Sequence, residues 1–224
     1  MKAMILAAGR GDRMRPLTDA TPKPLLPVAG RALLDYPLTR LARAGIDEVV
    51  INTAWQGRQI HDYAGDGSRW GLRVAFSDEE PGALETGGGI RQALPLLGSA
   101  PFWLVNGDVF CDFPFRLRDL EGRLLAHLVM VPNPVHNPAG DFALVAGHVR
   151  TAGGPRYTYA GLAVIHPDLL ADSSPGRFPL APLLADAADA GRVTGELDEG
   201  LWTDVGTPAR LEELDRLLSA QTSR

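Results

Sequence analysis

The chain has 224 residues, 45% hydrophobic and 22% charged, with a formal net charge of -5. That length supports one full core, and the negative balance argues against a general nucleic-acid-binding surface while leaving room for a local basic pocket. The single cysteine, Cys111, excludes an intrachain disulfide, and no apolar run approaches the ~18 residues of a membrane span.

In chain order, Met4 to Ala8 is a short apolar run ending at Gly9, the pattern of a buried parallel strand. It starts at once, without the charged and long apolar regions of a signal peptide, so a soluble cytoplasmic protein is expected. Leu33, Leu34, Leu38, Leu41 and Ala42 recur at helical spacing, and Gly45 closes that helix. Val49 to Ile51 is a strand, Ile60 and Tyr63 sit on a short helix stopped by Gly65, and Leu72 to Phe76 alternates as a strand. Ile90 to Leu97 reads as a helix after three glycines, and Phe102 to Val105 as a buried strand leading into Asn106-Gly107-Asp108. This alternation predicts βαβ units and a parallel sheet.

Beyond residue 110 the pattern changes. Leu124 to Val131, Phe142 to Val145 and Tyr157 to Ile165 are strand-like, with Gly, Pro and Asn between them, so hairpins and a mixed sheet are expected. Ala181 to Ala190 reads as a helix and Leu201 to Val205 as a last short strand. Thr207-Pro208 supplies an N-cap and first-turn proline for a helix with Leu211, Leu214, Leu217 and Leu218. No repeat or linker interrupts the chain, so residues 1–224 are expected to form one domain.

Five stretches carry chemistry. Gly9 to Arg15 is a glycine-rich loop with arginines, suited to phosphate. It is not a dinucleotide loop, since Met14 stands where a glycine is needed, and no P-loop lysine run exists. Lys23 is fixed between Pro22 and Pro24. Asp108 ends a buried strand, the edge where open α/β sheets bind ligands. Asp204, in Trp202 to Pro208, ends another strand, and the two carboxylates could hold one Mg²⁺. Leu84-Glu85-Thr86-Gly87-Gly88-Gly89 offers a loop for close approach of a flat ligand ahead of a helix N-terminus. The histidines (His61, His127, His136, His148, His166) lack metal-ligand spacing and are expected in ordinary surface or core roles.

Leu6-Ala7-Ala8-Gly9-x-Gly11-x-Arg13-Met14-x-Pro16-x-Thr18, followed by Pro22-Lys23-Pro24-Leu25, resembles the signature of the sugar-1-phosphate nucleotidyltransferases. The stretches at 84–89, 106–108 and 202–208 match that family's later motifs in order. At this length, no C-terminal β-helix like that of its acyltransferase-fused members is expected. Within the family, Thr-Pro-Lys-Pro-Leu, Leu-Glu-Thr-Gly-Gly-Gly-Ile, Ala-Leu-Pro-Leu-Leu-Gly and Val-Asn-Gly-Asp-Val are most similar to the uridylyltransferases of N-acetylmuramate 1-phosphate.

The resemblance implies an α/β, three-layer, Rossmann-like fold with a central mixed, mostly parallel sheet, acting on UTP and a sugar 1-phosphate with Mg²⁺, as a monomer or small homo-oligomer. By resemblance, Ala8, Gly9, Gly11 and Asp12 shape the loop around the nucleotide. Arg13 holds pyrophosphate, and Lys23 neutralises the reacting phosphates. Asn106, Thr86 and Gly87 contact the nucleoside, with Glu80 near the base. Asp108 and Asp204 hold the metal, and Asp141 and Gly161 the sugar. Arg156, Arg150 and His148 are candidates to meet a lactyl carboxylate. Another sugar 1-phosphate and base, or a catalytically silent relative, are the alternatives. The second predicts loss of the charged positions, and Arg13, Lys23, Asp108 and Asp204 are all present.

Overall fold

The computed structural model describes residues 1–79 and 82–222. The first half comprises β1 (Lys2–Leu6), a β2/β3 hairpin (Pro27–Val28, Arg31–Ala32), α1 (Asp35–Arg43), β4 (Glu48–Thr53), α2 (Gly57–Ala64), β5 (Arg73–Asp78), α3 (Glu85–Leu97) and β6 (Phe102–Asn106). After it come β7 (Val109–Cys111), β8 (Ala126–Val131), β9 (Phe142–Val145), β10 (His148–Arg150), β11 (Arg156–Ile165), α4 (Ala181–Asp189), β12 (Val193–Leu197), β13 (Trp202–Asp204) and α5 (Pro208–Thr222). Among the described residues, no helix is long and apolar enough to cross a membrane.

Nine strands form the main sheet in the order β5-β4-β1-β6-β11-β8-β12-β10-β9. β1 lies parallel between β4 and β6, with Leu6 level with both Asn52 and Asn106. That flanking explains why the expected strands read as continuous apolar runs: both faces of the sheet are covered. Ala3, Ile5, Val49, Ile51, Trp103 and Val105 pack with α1 and α2 on one face, while Met4, Val50, Phe102 and Leu104 pack with α3 and α4 on the other. Only β11 and β10 run against the remaining strands. The mixed character foreseen for the second half comes from these two, and the sheet curls so far that β9 also pairs with β11. β7 and β13 form a separate antiparallel ribbon.

A third apolar cluster lies beside the sheet. Met14, Leu26, Val28, Leu33, Phe110 and Val205 are packed by Leu211, Leu214 and Leu218 of α5. The β2/β3 turn is pinned to that helix, as the Ala29 N–H donates to Asp215 Oδ1 at 2.7 Å.

The three glycines foreseen as a loop lie inside α3. Their missing side chains make room for protein: a Cβ on Gly87 would strike Phe178, one on Gly88 the Gly176 carbonyl oxygen, and one on Gly89 the Glu79 carboxylate. A Gly run is costly in a helix, and close packing on the 176–178 segment and Glu79 accounts for it here. Gly88→Ala forces a backbone clash, so it is expected to destabilise the fold by about 1–3 kcal/mol, read as a lower urea midpoint at unchanged slope.

Candidate active site

A cleft of about 520 Å³ opens over the ends of β1 and β6, lined by residues of the first loop, the Lys23 turn, Asn52, Glu79, Thr86, Asn106, Asp108 and Gly206. Its position follows from topology. β1 is the strand about which connections go both ways, and ligands sit beyond the carboxyl ends of strands at such a switch.

The first loop is held from within. Gly11 adopts φ +70°, and a Cβ there would lie 2.9 Å from Thr18 Cγ2. Its carbonyl accepts from Met14 N–H and from Thr18 Oγ1, each at 2.8 Å. Met14, the residue that ruled out a dinucleotide loop, is fully buried and anchors the loop in the third cluster. Ala8, Gly9, Gly11, Asp12 and Arg13 line the cleft, as foreseen. The Arg10 guanidinium stacks 4.3 Å over Trp55, whose Nε1–H donates to the Thr18 carbonyl at 3.2 Å.

Behind the loop lies a buried relay that residue types in the sequence did not announce. Ala7 N–H donates to Asn52 Oδ1 at 2.7 Å, and Asn52 Nδ2 donates to Glu79 Oε1 at 2.6 Å. Glu79 Oε2 accepts from Leu84 N–H at 2.6 Å. Burial pushes the Glu79 carboxyl above its usual range, and the Leu84 and Asn52 donors pull it part of the way back. The relay fixes the end of β1 to the start of α3, which carries Thr86 into the cleft. Gly87 faces Phe178, and that packing alone requires a glycine there; it does not line the cleft. Glu80 lies outside the described residues.

Lys23 sits in a single 3-10 turn, Lys23–Leu25, entered from an extended Pro22. Its residue is 9% exposed, and Nζ meets Asp108 Oδ2 at 2.7 Å. Asp108 follows Gly107, which can be nothing larger: a Cβ there would lie 2.5 Å from the Leu6 carbonyl oxygen. The β7/β13 ribbon pairs Asp204 with Val109, and Val205 N–H donates to the Asp108 carbonyl at 2.7 Å. Asp108 and Asp204, nearly 100 residues apart in sequence, are thus brought side by side. Asp204 Oδ1 is met by His136 Nε2 at 3.0 Å and by Arg210 Nη1.

The two carboxylates fit a divalent cation by donor type. Each keeps one oxygen, Asp108 Oδ1 and Asp204 Oδ2, with no protein hydrogen bond among the described residues. No group of three or more His, Cys, Asp or Glu assembles among the described residues. The two carboxylates are hard oxygen donors, the ligand type a divalent cation such as Mg²⁺ takes.

In the second half of the chain, Gly161 (φ +74°) lies in a bulge of β11, where a Cβ would come 2.6 Å from Asn106 Nδ2, and neither it nor Asp141 lines the cleft. The bulge makes space for Asn106 at the cleft. Asp141 is exposed, with both oxygens engaged: Oδ2 accepts Tyr159 N–H at 2.8 Å and Oδ1 accepts Asn137 Nδ2 at 3.0 Å. Arg156 does not meet the expectation placed on it. Its guanidinium donates to the carbonyls of Ala139 and Gly140 (3.1 Å each), Asp141 (2.7 Å) and Thr151 (2.6 Å), so four of its five N–H groups go to backbone. His148 and Arg150 lie on β10, where His148 pairs with Thr194 at the start of β12, and neither lines the cleft. The residues missed by sequence reasoning are Asn52, Glu79, Arg210 and His136. Arg210 alone left a trace, three residues beyond the Thr207 cap in a motif already singled out.

The sequence pattern of the nucleotidyl transferase family matches residues 2–121. The N-acetylmuramate alpha-1-phosphate uridylyltransferase of Neisseria meningitidis serogroup B is 51% identical over 98% of this chain and 99% of its own. That of Caulobacter vibrioides is 36% identical over 97% of each. In three dimensions, UDP-glucose pyrophosphorylase in complex with UDP-glucose superposes with a TM-score of 0.79 over 98% of both chains at 17% identity, a likeness of fold. With a pattern match over more than half its length and a 51% identical relative, the chain belongs to the nucleotidyl transferase family and is an enzyme of the sugar-1-phosphate nucleotidyltransferase type.

Proposed function

We propose that this protein transfers a uridylyl group from UTP to N-acetylmuramate 1-phosphate, giving UDP-N-acetylmuramate and pyrophosphate. The observation that carries the reading is the meeting of the arginine-bearing loop and the Lys23–Asp108 pair on one cleft, with the β7/β13 ribbon bringing Asp204 next to that pair, in a chain 51% identical to an enzyme of that name.

The nucleophile is a phosphate oxygen of the sugar 1-phosphate, already anionic near neutral pH because a phosphate monoester's second pKa is about 6. It attacks the α-phosphorus of the triphosphate. A new P–O bond forms, the bond to the bridging β-phosphate oxygen breaks, and pyrophosphate carries the electron pair away. No proton moves, so no general base is required. The difficulty is repulsion between two anions, and catalysis is positioning and charge neutralisation. Ala8, Gly9, Gly11 and Asp12 wrap the triphosphate, Arg13 holds the departing pyrophosphate, and Thr86 and Asn106 orient the nucleoside. Lys23 places its ammonium at the reacting phosphates. Asp108 and Asp204 would hold Mg²⁺, which when bound supplies further positive charge to the same oxygens.

The test is pyrophosphate release over a panel of UTP, GTP, ATP and dTTP against N-acetylmuramate, N-acetylglucosamine, glucose and mannose 1-phosphates. The highest kcat/KM is expected for UTP with N-acetylmuramate 1-phosphate. A higher value for GTP with mannose 1-phosphate would overturn the assignment.

A further inference from the structure

The loop between β8 and β9 is braced far more heavily than an exposed loop requires. Asn133 Oδ1 accepts Thr158 Oγ1 at 3.0 Å, and its Nδ2 donates to the Arg156 carbonyl at 3.1 Å. Asn137 Nδ2 donates to Asp141 Oδ1 at 3.0 Å and to Thr158 Oγ1 at 3.1 Å. Arg156 and Asp141, as described above, spend their polar groups on the same segment. A turn closed by Asn137 N–H on the Pro134 carbonyl (2.9 Å) presents His136. That imidazole reaches over to Asp204, and its Nε2 also lies 2.9 Å from Arg210 Nη1. The bracing preorganises one histidine beside Asp204 and Arg210.

Arg210 completes the arrangement from α5. Its side chain is only 18% exposed. Nη1 serves Asp204 and His136, whereas Nη2 has no hydrogen-bond partner among the described residues. Nη2 lies against Gly206, where a Cβ would collide with it, and Gly206 lines the cleft. Gly206 thus touches both the free arm of a largely buried arginine and the cavity. Lys23 and Arg13 already provide cations for the phosphates. The His136–Arg210 pair is a second basic site, outside that set.

We infer that His136 and Arg210 together read a carboxylate carried on the sugar, the lactyl ether of N-acetylmuramate, and so set the preference for that sugar over N-acetylglucosamine. The inference rests on the substrate proposed above. The free Nη2 of Arg210 suits a carboxylate oxygen, and His136 holds the guanidinium from its other side. Arg156 is a poorer partner for the same carboxylate, with four of its five N–H groups already given to backbone carbonyls.

The experiment compares kcat/KM for N-acetylmuramate 1-phosphate with that for N-acetylglucosamine 1-phosphate in wild type, His136→Ala and Arg210→Lys, and with the lactyl carboxamide analogue. Calorimetry with UDP-N-acetylmuramate and UDP-N-acetylglucosamine gives a second readout on the same proteins. Each variant is expected to lower the preference ratio by about tenfold or more, the range for a charge-assisted hydrogen bond, and the wild type is expected to handle the carboxamide as the variants handle the acid. Equal losses on both sugars would mean that the pair reads the shared phosphate, and a ratio intact in both variants would mean that it reads nothing on the sugar. Either overturns the inference and leaves the proposed substrate standing. A wild type with no preference for N-acetylmuramate 1-phosphate strikes the proposed substrate itself.

Discussion

Lys23→Ala is expected to lower turnover at least ~10²-fold, the loss typical of one preorganised charge contact at a reacting centre. The residue is held on both sides by proline and is nearly buried, so its ammonium does not search for its position. In the resting protein Asp108 satisfies it at 2.7 Å. Entry of two phosphates offers a stronger partner for the same ammonium. Lys23→Arg is expected to be impaired as well, because a planar fork cannot replace a compact point charge in a tight turn. Neither change removes a core side chain, so the thermal midpoint is expected to stay within a few degrees of wild type. Pyrophosphate release at near wild-type rate from a folded Lys23→Ala protein would exclude the lysine from the chemistry.

The second large effect is expected at the aspartates. Asp108→Asn and Asp204→Asn keep the shape of the β7/β13 ribbon and remove one negative charge each. Both are expected to cost at least ~10²-fold in turnover and to raise the Mg²⁺ concentration needed for half-maximal rate. The second readout matters, because Asp108 also partners Lys23 and Asp204 partners Arg210 and His136. A lower rate with an unchanged Mg²⁺ requirement would assign the aspartates to orienting those side chains and take the metal away from them.

Much of this was legible in the sequence because local signals and topology agreed. The apolar runs around Met4, Val50 and Leu104 gave buried strands, and the residues just past their ends became the cleft. Gly87 to Gly89 misled, because a glycine kept for tight packing and one kept for ligand approach look alike in sequence. Arg156 misled for a similar reason: charge says nothing about which carbonyls a guanidinium will find. The Asn52–Glu79 relay and His136 depend on contacts across 27 and 68 residues, which no local pattern encodes. Asp204 could be proposed as a partner of Asp108 from strand-end position, but the ribbon that joins them is a long-range pairing.

The cluster around Met14 has a consequence for biosynthesis. Its shelf supports the Gly9–Arg15 loop, yet it is completed by Leu211, Leu214 and Leu218. A nascent chain therefore carries that loop for some 200 residues of translation without the surface that holds it in place. Domains generally fold as units during synthesis, and here the unit closes only after α5 has left the ribosome. Until then the growing polypeptide has the motif but not the site, and a ribosome stalled ahead of α5 would display a chain unable to capture nucleotide.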